Sequence, residues 1–143
     1  MSTELENYSI LITDDDLNCR ETLRDIVELQ GYRALLASSG EEAIDIVREE
    51  SVHLALLDMH MPTLTGLETL RFMHQIDAGL PCVLVTADAS ERLLRQAIQH
   101  HVYSVIHKPV SRGVVLHIVV RALGRYYSEI IEEDADSADD EEE

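Results

Sequence analysis

Short apolar runs and helical periods alternate five times along the chain. The apolar runs are Tyr8 to Thr13, Tyr32 to Ala37, Val52 to Leu57, Pro81 to Thr86 and Val102 to Ile106. Each is five or six residues long and mostly apolar, which is the pattern of a strand covered on both faces. Val52 to Leu57 is nearly all apolar, as a central strand should be, and Pro81 falls at the edge of the fourth run, where a missing backbone donor is tolerated.

The segments between the runs read as helices. Leu17 to Gln30 places Leu23, Ile26, Val27 and Gln30 near one face, with Gly31 as a natural stop. Ser39 followed by Glu41 and Glu42 has the composition of a helix N-terminus, leading into Ala43, Ile44 and Val47. Gly66 to Gln75, Ser90 to His100 and Ser111 to about Tyr127 complete the set. Strand–helix alternation of this kind predicts an α/β fold, a doubly wound five-stranded parallel sheet with right-handed crossovers and helices on both faces. Ligands of such sheets sit beyond the carboxyl ends of the strands.

Composition narrows the class. With 143 residues and 45% apolar content the chain suits one globular domain with one core. No apolar run is long enough to span a membrane, and the N-terminus has no basic segment leading into an apolar one, so a cytoplasmic location is expected. Cys19 and Cys82 match no metal spacing and read as small buried thiols in a reducing compartment.

Charge divides the chain in two. Of the net charge of −17, residues 129–143 contribute ten acidic groups and no basic one, whereas residues 1–128 carry a net of −7. The expected organisation is a folded domain over 1–128 followed by an acidic tail over 129–143, solvated and disordered, which keeps the chain soluble or binds a basic partner. Neither part has the basic stripe that direct nucleic-acid binding requires.

Candidate chemistry gathers where the apolar runs stop. Asp14, Asp15 and Asp16 follow the first, Asp58 the third, Thr86 and Ala87 the fourth, and Lys108-Pro109 the fifth. In a parallel sheet these ends line one edge. Adjacent carboxylates repel one another unless a cation compensates, and magnesium accepts one or two carboxylates while completing its shell with water and phosphate oxygens. Asp16 is better placed to cap the following helix. Lys108 can offset carboxylate charge and meet a phosphoryl oxygen, and the bond before Pro109 is a candidate for the cis form, which would fix the direction of the lysine. The seven histidines, including the adjacent His100 and His101, offer no convincing zinc spacing.

Four segments together carry a resemblance. Ile10 to Asp16, Leu56-Leu57-Asp58-Met59-His60-Met61-Pro62 with Gly66 eight residues past Asp58, Val83 to Ala87, and His107-Lys108-Pro109 occur in order. The chain resembles the receiver domains of response regulators in two-component signalling, over about residues 8–126. The resemblance implies a flavodoxin-like (βα)5 fold with strand order 2-1-3-4-5. It implies that Asp58 is the phosphoacceptor and also a metal ligand, that Asp15 binds Mg2+ directly, and that Asp14 acts mainly through a metal-bound water. It further implies that the backbone carbonyl of His60 is the remaining protein ligand and that Mn2+ can substitute. Thr86 would be the switch hydroxyl, with Ala87 beside it, and Lys108 the cation paired with the phosphoryl group. The domain would be a signalling phosphoacceptor rather than an enzyme, with intrinsic self-phosphorylation and autodephosphorylation. Its implied partners are a sensor histidine kinase or phosphotransfer protein, a downstream protein target and a second copy of the chain, but neither nucleic acid nor membrane.

One position departs from the pattern. The family often carries Tyr or Phe three residues before the lysine, where this chain has Val105. Tyr103 lies two residues earlier and, by strand alternation, is expected on the same side.

The last helix is apolar over an arc of about 200°, about twice what one core requires. Val115, Val119 and Tyr126 are therefore expected on an interaction face. Among alternatives, a magnesium-dependent phosphohydrolase of the haloacid-dehalogenase kind needs an acid two residues after the nucleophile, where this chain has His60. A flavin-phosphate binder calls for a Ser/Thr/Gly-rich loop after the first strand, where this chain has three aspartates.

Overall fold

The computed structural model describes residues 8–88 and 90–127. The expected acidic tail, 129–143, lies outside the described residues. Five strands and five helices alternate: β1 (Ser9–Thr13), α1 (Leu17–Leu29), β2 (Arg33–Ala37), α2 (Gly40–Glu49), β3 (Leu54–Asp58), α3 (Gly66–Ile76), β4 (Cys82–Thr86), α4 (Glu91–Gln99), β5 (Ser104–His107) and α5 (Arg112–Tyr127). The strands form one parallel sheet in the order β2-β1-β3-β4-β5. β1, β3 and β4 are buried along their whole length, which is why their sequences are apolar without alternation.

Side-chain alternation along the strands feeds two cores. On one face, Leu11, Ala55, Leu57 and Leu84 pack with Ala43, Val47, Leu70, Met73 and Leu93 from α2, α3 and α4. On the other, Ile10, Ile12, Leu56, Val83 and Ile106 pack with Leu23, Val27, Val115, Val119 and Leu123 from α1 and α5. Burial of the valine, leucine, isoleucine and methionine side chains among these contributes about 1.5–3 kcal/mol each.

The helix starts are chemically specified. Asp16, Ser39, Thr65 and Ser90 each accept a hydrogen bond from a backbone N–H of the first turn of α1, α2, α3 and α4 respectively. At α3 the Glu68 side chain also accepts from the Thr65 N–H, closing a capping box. A cap of this kind contributes about 1 kcal/mol.

Two sequence expectations are corrected here. Val115 and Val119 are fully buried in the α1–α5 core and form no part of a surface, whereas Tyr126 is exposed. The wide apolar arc of α5 reflects close packing of one side, with Val114 and Val120 as its exposed apolar residues. Tyr103 does not share a side with Val105. It precedes β5, so the alternation does not reach it; it packs with the α1–α5 core and its ring meets Tyr126 edge-on at 6.1 Å, while Val105 packs with the α2–α4 core.

Gly66 holds the loop after β3 close to its own strand. Its N–H donates to Met59 O at 2.8 Å, and a Cβ there would stand 2.6 Å from Asp58 O and 3.0 Å from Met59 Cα. No side chain fits without displacing that backbone. Gly66→Ala should cost about 1–3 kcal/mol in urea unfolding, the usual range for overpacking. An unchanged midpoint would show that the loop yields freely.

Candidate functional site

The strand ends bring together most of the residues singled out above. Asp14 follows β1 directly, and its backbone N–H donates to Ala37 O at 3.1 Å, at the end of the neighbouring strand. Its carboxylate is buried: Oδ1 accepts from the Asp16 N–H at 2.9 Å, which turns the loop toward α1. Asp16 caps α1 by accepting from the Cys19 N–H at 3.2 Å. Asp15, between them, is exposed. Asp58 is the last residue of β3 and is buried, and the Met59 N–H donates to Val85 O at 3.1 Å, which joins the start of its loop to β4.

Lys108 completes the cluster from the end of β5. Its Nζ lies 3.1 Å from Asp14 Oδ2 and 3.2 Å from Asp58 Oδ1, donating a hydrogen bond to the latter. The contact with Asp14 Oδ2 lacks ideal hydrogen-bond geometry, and the ammonium compensates this buried oxygen mainly through its charge. The Lys108–Pro109 bond is cis.

The electrostatics follow from two buried carboxylates sharing one ammonium. Burial is the largest influence on Asp58 and the charge of Asp14 the next. Both outweigh Lys108 and the His60 N–H, and the carboxyl is pushed up from 3.8 to about 6. Burial alone would depress Lys108, but the two carboxylates prevail and hold its ammonium above the ordinary lysine range.

A stability prediction comes from the Asp58 value. The folded protein holds this proton more tightly than the unfolded chain does. Between the two pKa values folding therefore takes up protons, and stability from this group falls as pH rises through about 6 and is recovered as pH drops toward 3.8. Above that window the metal-free protein carries a cost of about 2–3 kcal/mol. Asp58→Asn should stabilise the metal-free chain at pH 8 by about 1–2 kcal/mol, less than the full cost because the Lys108 contact weakens. The gain should vanish near pH 4. Urea unfolding across that range would contradict this if the variant were the less stable at pH 8.

One oxygen each from Asp14, Asp15 and Asp58 lie within 4.8 Å of one another. Three hard oxygen donors, one buried without a hydrogen bond and one exposed to solvent, fit a divalent cation that keeps part of its water. The donors suit Mg2+ or Mn2+ and offer no sulfur or imidazole to favour a softer ion.

The remaining expected residues sit around this centre. Thr86 is fully buried at the end of β4 beside Asp58, and its Oγ1 accepts from the Asp88 N–H at 2.9 Å. Ala87, next to it, is exposed. The His60 side chain is exposed and its Nε2 lies 3.8 Å from Asp88 Oδ2, linking the loops after β3 and β4. Two neighbours were not foreseen. Arg20 donates from Nη1 to Asp14 O at 2.6 Å and braces the acidic loop from α1. The half-buried Cys19 thiol is pushed up to about 12, chiefly by burial and then by Asp14, which leaves it protonated and unreactive near neutrality. Neither carries a local sequence signal, because each reaches the loop only through the pitch of α1.

The family described as the response regulator receiver domain matches residues 10–120. Sporulation initiation phosphotransferase F of Bacillus subtilis (strain 168) is 38% identical over 81 residues, 57% of this chain and 65% of that protein. The transcriptional regulatory protein ZraR of Escherichia coli (strain K12) is 28% identical over 123 residues, 86% of this chain but 28% of that protein. The chain thus spans less than two thirds of the length of these curated relatives. Among solved structures, the CheY-like response regulator receiver domain protein from Methanospirillum hungatei JF-1 superposes with a TM-score of 0.81 at 28% identity, covering 85% of this chain and 98% of that one.

Proposed function

Because the chain belongs to the response regulator receiver family of two-component systems, we propose that it accepts a phosphoryl group on Asp58 in a Mg2+-dependent reaction and thereby switches protein–protein contacts. The donor would be a sensor histidine kinase or phosphotransfer protein, and the recipient of the signal a downstream protein. The observation that carries this reading is the placement of one ammonium, Lys108, within 3.2 Å of two buried carboxylates from different strands, with a third carboxylate exposed beside them.

The chemistry requires little beyond positioning and charge. An oxygen of Asp58 forms a bond to phosphorus as the bond from phosphorus to the donor breaks, and the electron pair leaves with the donor group. The product is an acyl phosphate. Asp14, Asp15, Asp58 and the His60 carbonyl would hold Mg2+, which would supply positive charge to offset that of the phosphoryl group. Lys108 is already held by Asp58 and needs only a small movement to meet the new phosphoryl oxygens, so charge compensation is largely preorganised. Hydrolysis, with Asp58 as the group released, returns the carboxylate.

Thr86 is suited to respond because its hydroxyl oxygen is tied to the Asp88 N–H in the loop after β4. A turn of that hydroxyl toward a phosphoryl oxygen would release the Asp88 N–H and move the start of α4. No aromatic ring occupies position 105, and Tyr103 is held on the opposite side of the sheet against Tyr126, so the relay would run through the β4–α4 loop without a ring moving behind the threonine.

Beryllofluoride, a phosphoryl mimic, tests the reading. With Mg2+ it should shift the amides of Asp58, His60, Thr86 and Lys108 and those at the start of α4. Absence of any magnesium-dependent shift at these residues would refute it.

A further inference from the structure

Charge is distributed very unevenly along this sheet. Residues 8–88 carry fifteen acidic and five basic groups, while residues 90–127 carry one acidic and six basic groups, five of them arginines besides the Lys108 held by Asp14 and Asp58. The second segment is α4, β5 and α5. β5 is an edge strand, α4 packs on one face of the sheet and α5 on the other, so the positive charge gathers along one edge of the molecule. Arg92, Arg95, Arg112 and Arg125 are all exposed. Arg92, Arg112 and Arg125 have no ion-pair partner among the described residues, and Arg95 has only Glu91, at 3.7 Å with both side chains largely in solvent.

The acidic stretch of the chain is tethered to the same edge. Residues 129–143 hold ten acidic groups and no basic one, and they begin two residues after α5 ends. Fifteen residues can reach about 50 Å when extended, against about 24 Å for the length of α5. The segment can therefore run back along α5 and cross β5 to α4. Tethering makes the encounter intramolecular, at an effective concentration of order millimolar. The rest of the surface, at a net of −10 over residues 8–88, repels it.

We propose that residues 129–143 dock on the α4–β5–α5 edge of their own chain and shield it. The contact is electrostatic, with Arg92, Arg95, Arg112 and Arg125 as its anchors. Exposed apolar side chains stand among those arginines: Leu94 and Ile98 on α4 and Val114 on α5. A partner that uses this apolar edge must first displace the acidic segment. The inference does not depend on phosphorylation of Asp58.

The test compares the 143-residue chain with a variant in which each of the ten carboxylates of residues 129–143 is replaced by its amide, Asp by Asn and Glu by Gln. At about 20 mM salt, where screening is weak, the two chains should differ in the amide shifts of α4, β5 and α5. The differences should shrink severalfold at about 500 mM, where the Debye length falls to about 4 Å. Arg95→Glu with Arg125→Glu in the otherwise native chain should move the same amides toward the amide-tail spectrum; both sites are exposed, so the fold is preserved. Differences confined to the last turn of α5, or spread over α1 to α3, would overturn the proposal. So would differences that grow with protein concentration, which would assign the contact to the segment of a second copy.

Discussion

Asp58→Asn should lose phosphoryl uptake completely while folding at least as well as the parent chain. The substitution removes the carboxylate oxygen proposed to attack phosphorus and leaves the shape of the side chain almost unchanged. Asp14, Asp15 and Lys108 remain, but Lys108 is an ammonium without a lone pair at neutral pH, and the two aspartates are placed to hold the cation. Uptake from acetyl phosphate should therefore fall below detection rather than merely slow. The same substitution removes one of two buried negative charges that share one cation, so a loss of uptake caused by misfolding is not expected. Residual uptake at a substantial fraction of the parent rate would place the acceptor elsewhere.

Lys108→Ala should destabilise the metal-free chain. Removing one partner of a buried charge cluster leaves the others uncompensated, which costs about 3–5 kcal/mol in a fully buried setting. Here the lysine side chain is 24% exposed, and water reaching the cluster reduces the expected loss to about 2 kcal/mol. The sign of a second effect is more diagnostic. A divalent cation between Asp14, Asp15 and Asp58 supplies the charge that the ammonium supplied, so Mg2+ should restore much of the lost stability and should stabilise Lys108→Ala more than the parent. Urea unfolding with and without Mg2+ reads both numbers. Equal stabilisation of the two proteins would mean that the metal and the lysine do not compensate the same carboxylates.

The parts of the fold and site that were legible in the sequence share a physical cause. β1, β3 and β4 are buried on both faces, so their apolar runs are uninterrupted, and Asp14, Asp58 and Thr86 stand out where the runs stop. Asp16 and Ser39 were readable as caps because capping is a local interaction between a side chain and the N–H groups two or three residues on. What failed was orientation. Val115 and Val119 were expected at a surface because arc width alone does not say which part of a helix faces the core, and the sheet claims that part of α5. Tyr103 was expected beside Val105 because alternation was extended one residue beyond the strand. Arg20 and Cys19 were missed because their contact with the Asp14 loop depends on how α1 sits over the sheet, which no local pattern encodes.

Asp58 is proposed to take up a phosphoryl group with the help of a cation held by its neighbouring carboxylates. Intact-mass measurement of the chain after incubation with acetyl phosphate, with Mg2+ and with a chelator, followed by peptide mapping, tests it most directly. A single added phosphoryl group is expected in the presence of Mg2+, located on Asp58, and none in the chelator. Addition that ignores the metal, or that maps to a residue other than Asp58, would contradict it.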